Sequence, residues 1–131
     1  MHMEDRYKRI DVLQELYTKA LSVCGKVFVS SRPTATDKMD KFIVVRLPQG
    51  ITPYADTHST AYVQMSCYVR DRQGGIENSN VMEELIDGII SLVPFNDALI
   101  SCNDAPLVLE TKSDGMGFHS TTIQFKIVIK V

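Results

Sequence analysis

The final residues, Thr121 to Val131, read TTIQFKIVIKV: Ile123, Phe125, Ile127, Ile129 and Val131 alternate with Gln124, Lys126, Val128 and Lys130. A period of two marks a strand with one buried face. It commits the chain to a sheet and to a second layer covering the Ile/Phe face. The strand is expected to lie within that sheet, with its Ile/Phe face under the covering layer.

Two amphipathic segments can supply the cover. From Asp5 to Val23, the residues Ile10, Leu13, Leu16, Tyr17, Ala20, Leu21 and Cys24 share one face at helical spacing. Glu15 and Lys19 pair across one turn on the other face, and Gly25 is the expected stop. A second helix is expected from an Asn80 cap, with Glu83 reaching back. Its stripe is Met82, Leu85, Ile86, Ile89, Ile90 and Val93, and Pro94 ends it.

The remaining apolar runs read as strands. KVFVSSRP is short and stops before Pro33. KFIVVRLP, Lys41 to Pro48, is nearly continuous, as in a central strand buried on both faces. QGITPYADTHS, Gln49 to Ser59, is longer than an ordinary hairpin loop. In TAYVQMSCYVRD one face carries Ala61, Val63, Met65, Cys67 and Val69, the other Tyr62, Gln64, Ser66, Tyr68 and Arg70. ALISC, LVLET and the closing strand complete the set. The order α-β-β-β-α-β-β-β lacks a regular β-α-β alternation. It predicts an α+β fold: a mostly antiparallel sheet with two helices packed on one face.

Composition bounds what such a domain can do. The 131 residues suit a single domain, 1–131, and 44% hydrophobic with 23% charged residues is ordinary for a globular chain. A net charge of -2 gives no general attraction to nucleic acid, and no run reaches the length of a membrane span. The polar start MHMEDRYKRI does not read as a secretory signal, so cytoplasmic synthesis is expected. Cys24, Cys67 and Cys102 show no CxxC spacing and read as reduced thiols in small apolar sites.

The titratable residues show no catalytic spacing. His2, His58 and His119 form neither HExxH nor HxH. Asp56 and His58 in ADTHST admit a metal or a base, against a solvated loop that the polarity of the segment favours. His119 after DGMGF admits a base beside Asp114, against a turn-flanking histidine at a strand start. RQGG and GMGF lack the phosphate-loop lysine, and no serine sits in GxSxG. Cys67 falls on the apolar face of its strand, and a helix C-terminus beside Cys24 raises a thiol pKa. No catalytic set, metal set or cofactor motif is expected. RPTATDK, RDR, Lys126 and Lys130 are interspersed with acids, and the outer side of the closing strand has no aromatics to stack bases. A sequence-specific nucleic-acid partner is therefore not expected.

The weight moves to interfaces. Tyr62, Tyr68 and Arg70 are residue types enriched in interface cores, against the plain reading of an amphipathic sheet face. The Gln49 to Ser59 connection carries Ile51, Pro53 and Tyr54 and suits either a neighbouring subunit or its own sheet edge.

The whole layout resembles the tail terminator (tail completion) family of long-tailed phages and its relatives among head-tail joining and minor tail proteins. The shared features are an opening helix, a short strand ending at Arg32-Pro33 and the hydrophobic strand KFIVVRL. A long hairpin then leads into STAYVQMSCYVRD, followed by the helix NVMEELIDGIISLV and the turn and closing strand DGMGFHSTTIQFKIVIKV. The resemblance spans nearly the full chain. It implies a tail-terminator-like fold without enzymatic activity. Such a protein forms a homo-oligomeric, hexameric ring on the end of the tail tube. The ring stops tube growth, meets the head connector and resides in the virion. By position, Tyr62, Tyr68, Arg70, Ile51 and Tyr54 would make ring contacts. Gln124, Lys126 and Lys130 would face a ring surface or channel.

Two other classes stay open. A cytosolic small-ligand-binding or regulatory α+β domain would enclose an apolar pocket. An enzyme built on Asp56, His58 and His119 would bring the two histidines together. An assembly protein would tolerate His58→Ala and His119→Ala.

Overall fold

In a computed structural model of the protein, residues 9–53 and 58–130 are described. Chain order is α1 (Arg9–Leu21), β1 (Val27–Val29), β2 (Lys41–Arg46), β3 (Ile51–Pro53), β4 (His58–Arg70), α2 (Ser79–Ile90), β5 (Phe95–Asn96), β6 (Ile100–Cys102), β7 (Leu107–Val108), β8 (Lys112–Ser113) and β9 (Phe118–Lys130). This is an α+β fold; among the described residues it has one large, mostly antiparallel open sheet of nine strands and two helices.

The two alternating sequences become its spine. β4 and β9 are each 13 residues long and pair antiparallel over their whole length, from His58 opposite Lys130 to Arg70 opposite Phe118. The closing strand thus lies inside the sheet, as its pattern implies. β2 and β3 share the other flank of β4, while β6, β7 and β8 divide the other flank of β9 between them.

The strand count differs from expectation: four strands precede α2 and five follow it. Ile51–Pro53 pairs with Ser59–Ala61, so the long Gln49 to Ser59 connection is a hairpin that extends the sheet. Pro53 is tolerated there because an edge position needs no donor from it. LVLET contributes only two residues to β7, and Lys112–Ser113 pairs separately as β8. β1 runs parallel to β2, because residues 30–40 carry the chain back before β2 begins.

Both helix boundaries also shift. Asp5 to Lys8 lie outside the described residues. In α1 the buried stripe is Val12, Leu13, Leu16 and Ala20, whereas Ile10 is 63% exposed. Gly25 does not adopt a left-handed φ. The last turn closes instead through the Ala20 carbonyl, which accepts from Val23 N and Cys24 N at 2.9 and 3.0 Å. α2 begins before Asn80: Asn78 stands at the cap, and its carbonyl accepts from Met82 N at 3.1 Å. The expected Asn80 cap with Glu83 is therefore replaced by a cap two residues earlier, with no side-chain cap bond.

The inner face of β4 (Ala61, Val63, Met65, Cys67, Val69) and of β9 (Ile123, Phe125, Ile127, Ile129) forms one buried cluster with both helices. Phe125 meets Phe95 edge-on at 6.3 Å. A Cβ at Gly88 in α2 would lie 2.6 Å from Val23 Cγ1, so the glycine lets α2 close onto the turn after α1. β2 is buried on both faces: Ile43 and Val45 join this core, while Phe42 and Val44 point to the far side of the sheet.

Phe125→Ala should lower stability by about 3–5 kcal/mol, while Val128→Ala on the exposed side of the same strand should change it by less than about 0.5 kcal/mol. Gly88→Ala should cost about 1–3 kcal/mol through overpacking, despite the better helix propensity of alanine. Urea denaturation of the three variants checks all of these.

Candidate interaction surface

The outer face of the sheet divides in two along the β4–β9 ladder. At one end Phe42, Val44 and Phe118 are fully buried, although the helices lie on the opposite side. Their cover is the 30–40 segment, together with Phe28 and Tyr68. Phe42 stacks on Tyr68 with centroids 4.7 Å apart and meets Phe28 and Phe118 edge-on at 5.8 and 5.4 Å. Such pairs add to plain area burial.

Two arginines hold the cover down. The Arg32 guanidinium lies over the rings of Tyr68, Phe118 and Phe42 at 5.3, 5.5 and 5.6 Å, and its Nη1 is ion-paired with Asp114 Oδ2. Asp114 Oδ1 also accepts from Met116 N and Phe118 N at 2.7 and 3.1 Å, which closes the turn into β9. Gly115 and Gly117 take φ of 73° and 91° in that turn, a conformation other residues resist. Arg70 donates to the Thr36 and Met39 carbonyls at 2.6 and 3.0 Å and lies 4.8 Å from the Phe118 ring. The pieces of this lid come from residues far apart in sequence, joined by cation–π contact and charge-assisted hydrogen bonds.

The other half of the outer face is open. Gln64 donates to Gln124 at 2.9 Å, and Ser66 and Thr122 share a hydrogen bond of 2.7 Å. Tyr62, Lys126 and Val128 lie beyond them, with the Lys126 ammonium 5.9 Å from the Tyr62 ring. On the flanks, Arg46 pairs opposite Gln64 and Leu107 opposite Gln124. Leu107 is 54% exposed. A groove of about 220 Å³ opens between the β3–β4 hairpin and β9, lined by Gln49, Thr52, Thr60, Tyr62 and Lys126 among others.

The structure therefore separates the residues that sequence grouped together. Tyr62, Gln124 and Lys126 share the open surface. Tyr68 and Arg70 are engaged within the covered half. Ile51 pairs opposite Ala61 and packs against the inner core. Lys130 donates to the Asn96 side chain and to the Asp97 carbonyl, tying β9 to β5. Tyr54 lies outside the described residues. No sequence signal marks Arg46 or Leu107, and Arg32 stands out only as the end of the short strand before Pro33. Arg46 completes the Phe42/Val44 alternation, but the doubly apolar run concealed which face it joins.

The two histidines do not converge. His58 pairs at one end of the ladder and His119 at the other, so their backbones stand about 36 Å apart along the strands. His2 and Asp56 lie outside the described residues. His119 Nδ1 contacts Asp71 Oδ1 at 2.5 Å, whereas Asp114 is held by Arg32. Among the described residues no cluster of three or more His, Cys, Asp or Glu could hold a metal ion. All three cysteines are free and buried. Burial, with a smaller contribution from Cys24, pushes the Cys67 thiol up to about 12. Burial likewise raises Cys102. Among the described residues no helix is long and apolar enough to cross a membrane.

A solved structure whose name states no function is similar to this chain with a TM-score of 0.57 and 13% identity over 94% of each chain. That likeness concerns the fold alone. No family profile and no curated protein matches the sequence.

Arg32→Ala strands the mostly buried Asp114 carboxylate and should cost about 1–3 kcal/mol. A double-mutant cycle with Asp114→Ala should return a coupling of about 1–3 kcal/mol, read from urea midpoints. The Cys67 thiol stays protonated in the folded chain up to about 12. The unfolded thiol ionises from about pH 8.5. Its contribution is thus complete below that pH and is lost as pH rises toward the folded value. The stability gap between wild type and Cys67→Ala should narrow by about 2 kcal/mol between roughly pH 7 and 10, measured by denaturation at each pH.

Proposed function

We propose that the protein is a non-enzymatic structural assembly protein of a phage or prophage tail. In this reading it resembles a tail terminator that forms a hexameric ring of its own copies and caps the tail tube. Its partners are further copies of itself, the tail tube and head-connector proteins, and its destination is the virion. The observation that carries the reading is the half-open outer sheet face. There Tyr62, Lys126, Val128 and Leu107 stand exposed beside a hairpin that extends the sheet. A ring requires each subunit to present such a face and a different face that fits it. The element order over nearly the whole chain supports the same assignment.

The runner-up is a small-ligand-binding or regulatory α+β domain of the cytosol, favoured by the groove beside Tyr62 and Lys126. It predicts a monomer that gains thermal stability with a bound metabolite.

Light scattering over a wide concentration range, with electron microscopy of any large species, separates the two. Closed rings, sixfold in particular, are the expected result. A strict monomer both alone and with purified tail tubes would favour the runner-up. His58→Ala should leave ring formation intact. His119→Ala should also assemble, but with a lower melting temperature, because Asp71 loses its partner.

A further inference from the structure

We infer that copies of the chain associate head to tail, the acidic outer side of α2 in one copy lying on the open half of the outer sheet face in the next. The ring stoichiometry of this contact rests on the tail-terminator reading; the contact itself rests on charge and burial.

The outer side of α2 carries one sign. Glu83, Glu84 and Asp87 are exposed, and no lysine or arginine occurs in Ser79–Ile90. Glu83 and Asp87 stand one turn apart, an arrangement that costs a helix stability until a cation screens it. The open sheet half presents Arg46 and Lys126, which flank the Gln64–Gln124 pair; the acids nearest them sit at its edge, where Asp104 accepts from Lys126 N and Glu110 lies beside Thr122. Among the described residues none of Glu83, Glu84, Asp87, Arg46 and Lys126 has an ion pair. Arg46 Nε is moreover buried with no hydrogen-bond partner. Nε is enclosed by the chain's own atoms, so the half-buried remainder of the guanidinium is what an incoming carboxylate would meet. Leu107 beside Gln124 and Ile90 at the end of α2 are both exposed and add apolar area to each side.

The partition of charge also selects the geometry. Sheet against sheet would set Arg46 and Lys126 near their own copies, and helix against helix would set acid against acid. Only the heterologous pairing brings opposite signs together. A heterologous contact closes into a ring or continues as a filament. Complementary patches of this kind speed encounter and exclude the like-charged alternatives.

The test is sedimentation velocity of the full chain over a wide concentration range at low and high salt. One variant reverses the helix side, Glu83→Lys with Asp87→Lys. The other reverses the sheet side, Arg46→Glu with Lys126→Glu. Each alone should raise the concentration for half-association about tenfold or more. An equimolar mixture should recover wild-type association, because each reversed face then meets a matching one. High salt should weaken the wild type. Circular dichroism melts verify folding. If Arg46→Glu unfolds the chain, Arg46→Gln with Lys126→Gln and Glu83→Gln with Asp87→Asn give the same comparison with smaller effects. Wild-type association in both variants overturns the inference and leaves a ring built on other faces. Open filaments that obey the variant pattern keep the contact and remove the ring reading. A wild type that stays monomeric at every concentration overturns the contact, and the ring reading falls with it if the chain also stays monomeric with purified tail tubes.

Discussion

Every layer of the molecule hangs on one interaction, the full-length pairing of β4 with β9. Its 13 residue pairs place the whole apolar side of both strands under the helices in a single register. A slip of one residue would turn Phe125 and Ile127 outward and Gln124 and Lys126 into the core. That penalty fixes the register without help from a tight turn, which matters because the two strands lie far apart in the chain. The remaining strands are three residues or fewer, apart from the six of β2. They find their places by pairing with a spine that already exists.

The same ladder creates a difficulty on its other side. The outer faces of β2 and β9 carry Phe42, Val44 and Phe118, and neither α1 nor α2 covers them. The chain covers them with the irregular 30–40 segment, whose backbone carbonyls need donors. Arg70 supplies two of these from within the sheet, and Arg32 crosses the rings to Asp114. The arginines at this end are therefore spent on holding a lid. The tyrosine and arginine that look most like interface residues, Tyr68 and Arg70, are internal fasteners.

Legibility followed the range of the physical signal. The faces of β4 and β9 and the buried character of β2 were readable, because a long alternation or an unbroken apolar run is a local pattern. So was the α+β class with two covering helices. The lid was not readable: Phe28, Arg32, Phe42, Tyr68, Asp114 and Phe118 come from separate segments, and each alone has an ordinary explanation. The β3 strand was hidden by Pro53 and by its shortness, and the start of α2 was ambiguous because Asn78, Ser79 and Asn80 are all favoured cap residues. Of the proposed surface, Tyr62, Gln124 and Lys126 were placed on the outer face by alternation, but their role as contacts came only from residue type and from the resemblance. Arg46 was lost in a strand whose two sides look alike, and Leu107 in an edge too short to show a period.

The edges of the sheet bear on how such a chain can meet its copies. Long, flat edges invite strand-by-strand addition. Here β1, β3, β5, β7 and β8 offer three residues or fewer each. Lys130 further occupies Asn96 and the Asp97 carbonyl beside β5. Association through backbone pairing would gain few hydrogen bonds and no defined register. Faces remain, and the outer side of α2 carries only acids while Arg46 and Lys126 lie on the open sheet half. A chain with blunted edges and two complementary faces is suited to a discrete, directional contact, which a closed ring repeats and an aggregate does not.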